Sequence, residues 1–200
     1  MNNTGSVYGL ILSGGKSSRM GYDKSLINYH GKPQREFLAK LLEPYCEKTF
    51  FSCKSVDGIP EHLNPLPDFY TLESPLNGIL TAFHFNNLGA WLTVPVDMPL
   101  INAETIEFLL ELRDKNKFAT CFYDSTGDYP EPLLTIWEPQ AGPELKSFYE
   151  TGNFSPRKFL MSHDVNIISS PQLSVLTNIN STEELDLFRL SNPSSKTANQ

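Results

Sequence analysis

Lys16, Arg19 and Lys24 crowd into the stretch LSGGKSSRMGYDK, residues 12–24, against a single acid, Asp23. Gly14 and Gly15 let the backbone there approach a ligand closely. Their N–H groups, with three flexible cations, are what a triphosphate needs if its charge is to be neutralised without blocking attack at the α-phosphorus. Spacing excludes two familiar phosphate loops. The dinucleotide fingerprint G-x-G-x-x-G fails because the glycines stand at 14, 15 and 21. The P-loop fails because five residues separate Gly15 from Gly21, and Tyr22-Asp23 then follows in place of Lys-Ser. The stretch is either a phosphate-holding loop of another kind or a solvated turn with incidental charges.

A second chemical candidate is Asp97, directly after the apolar run AWLTVPV at residues 90–96. A single carboxylate at a strand end suits a hard cation that keeps several waters and takes its other ligands from phosphates. The same residue before Met98-Pro99 could equally serve as a turn former. His30, His62, His84 and His163 form no metal-binding spacing and read as structural. Cys46, Cys53 and Cys121 form no C-x-x-C pair, so neither a disulfide framework nor a zinc knuckle is indicated and a reducing cytoplasm is expected.

These residues need a frame to hold them. Two hundred residues, 40% hydrophobic and 20% charged, suffice for one globular domain over 1–190, with a polar, frayed tail at 191–200. A net charge of −7 and the lack of a long basic stripe argue against nucleic-acid binding. The first fifteen residues carry no basic n-region, and their apolar stretch is too short for a signal or a membrane span.

Apolar, β-branched runs predict strands over 7–12, 48–52, 90–96, 118–123, 133–137 and 165–168. Helical spacing predicts helices over 34–46, 76–87, 102–115, 143–150 and 156–162, and a last one opened by the capping box Ser181-Thr-Glu-Glu184. The proline-rich passage 59–75 reads as a long surface loop. Alternating strands and helices imply an α/β architecture with a mostly parallel sheet, whose ligands sit beyond the carboxyl ends of the strands. That rule selects residues 13–24, Ser74–Gly78 and Asp97 as one neighbourhood.

The stretch L-S-G-G-K-S-S-R-M-G-Y-D-K resembles the L-A-G-G-x-x-x-R-M-G-x-D-K signature of nucleotidyltransferases, in particular the molybdenum cofactor guanylyltransferase family. Ser74-Pro-Leu-Asn-Gly78 is similar to that family's G-P-L-x-G, Val96-Asp-Met-Pro99 to its C-D-x-P, and Asn178-Ile-Asn-Ser-Thr-Glu-Glu-Leu185 to its N-x-N-T-P-E-E-L. The four motifs come in the family's order and span almost the whole chain. Two departures stand out: Ser74 replaces a glycine, and Phe51-Ser-Cys-Lys54 occupies the place of a family asparagine.

The resemblance implies a Rossmann-like, three-layer α/β/α nucleotidyltransferase fold. It implies transfer of GMP from GTP to molybdopterin, with release of pyrophosphate and with Mg²⁺ as cofactor. Asp97 would hold the metal, and Arg19 and Lys24, helped by Lys16, the triphosphate. Leu12, Ser13, Gly14 and Gly15 would line the nucleotide through backbone groups. Asp68 would bond guanine or ribose, unless it is simply a loop aspartate, and Gly78 would let the ligand come close. Pro130-Glu-Pro-Leu133 and Phe154-Ser-Pro-Arg157 would lie where the family handles its pterin, and Asn178, Asn180, Arg157 and Lys158 would serve the acceptor. Partners would be GTP, molybdopterin and the proteins that deliver or receive the cofactor. The competing readings are transfer from CTP or UTP to another phosphorylated acceptor, and a catalytically silent nucleotide binder on the same fold.

Overall fold

The computed structural model describes residues 5–13 and 23–191. Its centre is a seven-stranded sheet of strands β1 (Val7–Leu12), β2 (Thr49–Cys53), β3 (Pro65–Pro67), β4 (Ala90–Pro95), β5 (Ala119–Tyr123), β6 (Pro130–Trp137) and β7 (Asn166–Ile168). The order across the sheet is β3-β2-β1-β4-β6-β5-β7. β1 pairs in parallel with both β2 and β4, as its unbroken apolar run requires of a strand covered on both faces. Only β6 runs against its neighbours, pairing antiparallel with β4 and with β5. The expectation of a mostly parallel sheet therefore holds, and the reversal has a consequence for the site.

Alternate residues along the strands feed two separate cores. On one face Ile11, Phe51, Leu92 and Val94 pack with Leu38 and Leu42 of α1 (Gln34–Leu42) and Ile106 and Leu109 of α3 (Ala103–Glu111). On the other Leu10, Leu12, Phe50 and Trp91 pack with α2 (Leu76–Phe85), α4 (Ala141–Glu150) and α5 (Pro156–Ser162). Period-two alternation in the sheet thus produces the three layers. A third, small cluster of Ile27, Tyr29, Ile179 and Leu185 seats the last helix, α6 (Thr182–Ser191), on the segment that follows the opening loop.

Several elements match the sequence in detail. Asn102 caps α3 by accepting from the Thr105 N–H at 2.9 Å, although the helix stops at Glu111 rather than running on to Lys115. The capping box opens α6: Ser181 Oγ accepts from the Glu184 N–H, and Glu184 Oε2 accepts from the Ser181 N–H, both at 3.2 Å. The proline-rich passage 59–75 is more regular than expected, because Glu61–Leu63 forms a 3-10 turn and Pro65–Pro67 an edge strand. At an edge only one side of the backbone is paired. The bonds Phe51 N–H to Asn64 O (3.2 Å) and Asp68 N–H to Cys53 O (2.8 Å) flank the prolines and need no proline donor. Among the described residues no helix is long and apolar enough to cross a membrane.

Candidate active site

The carboxyl ends of β1 to β5 converge on one rim, where Ser13, Lys54, Asp68, Asp97 and Asp124 follow their strands. The Val96 N–H donates to Leu12 O at 3.2 Å, so the turn bearing Asp97 stays tied to the end of β1. The Ser13 hydroxyl donates to the Ser52 carbonyl at 2.5 Å and joins the ends of β1 and β2. Leu12 buries its side chain in the core and can offer a ligand only its backbone.

Asp97 is largely buried, and its Oδ1 is a buried atom with no hydrogen-bond partner. Burial pushes its carboxyl above the usual range, and the Lys24 ammonium opposes that shift. Lys24 lies in a short 3-10 turn (Lys24–Leu26) capped by Asp23, whose Oδ1 accepts from the Ser25 N–H at 2.9 Å. Its Nζ donates to Ile179 O and to Asn180 Oδ1, each at 2.9 Å. The Ile179 N–H in turn donates to Asp97 O at 2.8 Å. The closing segment thus spans the loop cation and the strand-end acid. Asn180 reaches Lys24, while Asn178 is exposed just upstream.

Asp68 sits half-buried after β3, its carboxyl raised by burial against the pull of Lys54. The loop it opens is held by Asn77, whose Nδ2 donates to Tyr70 O at 2.6 Å and to Leu72 O at 3.1 Å. A Cβ at Gly78 would stand 2.5 Å from Ser52 Oγ and 2.9 Å from Leu12 Cδ2, so this glycine lets α2 press against the ends of β1 and β2. Ser74 accepts from the Leu76 N–H at 3.2 Å and donates to Phe154 O at 2.5 Å, tying the start of α2 to the loop before α5. Arg157, near the start of α5, pairs with Asp124 at 3.2 Å and lies 5.9 Å from the Tyr129 ring centroid. Lys158 is exposed. Gly14, Gly15, Lys16 and Arg19 lie outside the described residues.

The family resemblance put the stretch Pro130-Glu-Pro-Leu133 on the acceptor side but gave Glu131 no role of its own. Because β6 is reversed, its amino end lies on the same rim as the carboxyl ends of the other strands. Pairing with β5 jumps from Cys121↔Thr135 to Tyr123↔Pro130, so β6 takes five steps (135 to 130) where β5 takes two (121 to 123). Pro130 and Pro132 cannot donate to a ladder, which favours such a bulge. Within it Glu131, only 4% exposed, accepts from the Leu133 N–H at 2.9 Å, and its carbonyl accepts from the Thr135 hydroxyl at 2.7 Å. Burial pushes its carboxyl up to about 7; the Leu133 N–H and Arg157 oppose the shift, and the charges of Asp97 and Asp124 add to it. The signal available in the sequence was an acid between two prolines at a strand start.

The four histidines are used in packing and structural bonds. His30 Nε2 is 2.7 Å from Pro99 O, His62 meets Glu36, His84 stacks on Phe69, and His163 bonds Phe159 O.

Residues 9–167 match the family described as MobA-like NTP transferase domain. The chain is 36% identical over 181 residues to a molybdenum cofactor biosynthesis bifunctional protein of Synechocystis, covering 89% of this chain but only 52% of that protein. It is 31% identical to a "probable molybdenum cofactor guanylyltransferase" of Flavobacterium johnsoniae over 88% of this chain and 93% of that one. Among solved structures, molybdopterin-guanine dinucleotide biosynthesis protein A of Archaeoglobus fulgidus superposes with a TM-score of 0.75 at 22% identity. That superposition covers 92% of this chain and 97% of the other, and it supports the fold.

Proposed function

The chain belongs to the MobA-like NTP transferase family, and from that premise we propose that it transfers GMP from GTP to molybdopterin, forming molybdopterin guanine dinucleotide and pyrophosphate. Relatives named as guanylyltransferases support the choice of nucleotide and acceptor. The chain spans about half of the Synechocystis bifunctional protein, so that protein's second activity is not carried over.

The observation that carries the reading is the buried, unpartnered Oδ1 of Asp97 beside the Lys24 ammonium. A carboxylate oxygen denied any donor suits a hard divalent cation, so the residues present fit Mg²⁺, with Asp97 as its protein ligand. When bound, the metal supplies neutralisation of phosphate charge. Lys24, positioned by Ile179 and Asn180, holds the triphosphate together with Arg19 and stabilises the charge that collects on the departing pyrophosphate. Leu12 to Gly15, Asp68 and Gly78 form the nucleotide side, and Arg157, Asn178 and Asn180 the acceptor side. An ionised acceptor phosphate is already nucleophilic, so the residues need only align it with the α-phosphorus, and no general base is required. The free thiols of Cys46, Cys53 and Cys121 suit a cytoplasmic setting, where cofactor-delivery proteins or molybdoenzymes would take the product.

The test is pyrophosphate release from GTP, Mg²⁺ and molybdopterin, with CTP and UTP in parallel. Release with GTP alone is expected. Release with CTP or UTP but not GTP would overturn the nucleotide assignment, and release with none would overturn the enzyme reading.

A further inference from the structure

Glu131 is a buried acid at the site rim to which the transfer reaction described above gives no role. Its place is fixed from both sides. The Thr135 hydroxyl holds its carbonyl, the Thr93 hydroxyl holds the Thr135 carbonyl at 3.1 Å, and the Trp137 indole N–H donates to Thr93 Oγ1 at 3.2 Å. This chain of buried bonds runs through the middle of the sheet, where strands β4 and β6 are paired at Thr93↔Thr135. The antiparallel register Trp91↔Trp137, Leu92↔Ile136, Thr93↔Thr135, continued four positions further toward the rim, sets Asp97 across from Glu131. Among the described residues no lysine or arginine is in ion-pair contact with Glu131, and the nearby Arg157 gives its guanidinium contact to Asp124. One Glu131 oxygen is engaged by the Leu133 N–H, which turns the carboxylate without neutralising it.

The buried Glu131 and the largely buried Asp97, whose Oδ1 is orphaned, thus face each other at the rim with no cation paired to Glu131. A divalent cation between them would satisfy both, and magnesium sites with one or two carboxylates plus substrate phosphates are a common solution. We propose that Glu131 is a second carboxylate ligand of the divalent cation, reaching it from the β6 bulge as Asp97 does from the end of β4. The inference rests on reading Asp97 as a cation ligand. It adds that the protein alone, before nucleotide binds, offers the ion two protein ligands instead of one.

The test is binding of Mn²⁺ alone to the full chain without nucleotide, followed by the paramagnetic resonance of the free ion. The unmodified protein is expected to bind, and Glu131→Gln and Asp97→Asn are each expected to weaken affinity ten-fold or more. Gln retains an acceptor for the Leu133 N–H, and cooperative melting in EDTA checks that the variant folds. If it does not, Glu131→Asp carries the test, because a carboxylate withdrawn by one methylene should still lower affinity measurably. Unchanged affinity in the folded Glu131 variant, with loss in Asp97→Asn, overturns the role of Glu131 and leaves the Asp97 reading intact. Absence of Mn²⁺ binding to the unmodified protein, or unchanged binding in both variants, overturns both.

Discussion

Lys24 and Asp97 are joined through a single residue: Ile179 accepts from the Lys24 ammonium with its carbonyl at 2.9 Å and donates its N–H to the Asp97 carbonyl at 2.8 Å. The lysine comes from the end of the opening loop, the aspartate from the end of a central strand, and the residue between them from the far end of the chain. Lys24→Ala removes the charge while leaving the Ile179–Asp97 bond in place. Pyrophosphate release should fall by about 100-fold or more, the scale of losing one preorganised stabilising group. Stability should fall by about 1–3 kcal/mol, the net worth of two hydrogen bonds exchanged with water. A stopped assay combined with urea melts separates the two effects.

Asp97→Asn should move activity and stability in opposite directions. The buried Oδ1 gains no protein partner, so its charge is a standing cost to the folded, metal-free chain. Neutralising it should raise stability in EDTA by about 1 kcal/mol while Mg²⁺-dependent release is lost. A variant that melts earlier than the parent under EDTA would contradict this account.

The acid raised to about 7 by burial predicts how metal-free stability depends on pH. The folded state holds the Glu131 proton to a higher pH than the unfolded chain, whose ordinary value is 4.5. Between these values the native state binds more protons, so stability falls as pH rises through the window. The contribution is at most about 3 kcal/mol at 1.36 kcal/mol per unit. Urea titrations in EDTA from pH 5 to 8 should show the decline, and Glu131→Gln should flatten it.

Gly78→Ala should destabilise by about 1–3 kcal/mol, the usual cost of overpacking, because its Cβ would meet Ser52 and Leu12. The nearest obstacle is the Ser52 hydroxyl oxygen. Adding Ser52→Ala should therefore recover part of the loss, and a double-mutant cycle read by denaturant midpoint measures the coupling.

Most of the scaffold was legible from local pattern. The run Val7–Leu12, the caps at Asn102 and Ser181, and the strand-helix alternation each rest on neighbours within a few residues, and the structure follows them. The misses arise where tertiary position overrides local pattern. Pro65 and Pro67 suppress strand propensity, yet an edge position makes no demand on their missing N–H groups. Pro130 and Pro132 likewise hid the start of β6, whose expected first residue was 133. The resemblance pointed to the stretch Pro130-Glu-Pro-Leu133, but the burial of Glu131 and its place across from Asp97 follow only from the reversal of β6. The Lys24–Ile179 contact joins residues 155 positions apart, a distance no local rule reaches.

The small cluster that seats α6 is separate from both sheet cores, and it also anchors the segment leading out of Lys24. Displacing α6 from that seat would therefore loosen the contacts that position Lys24 while leaving both sheet cores untouched.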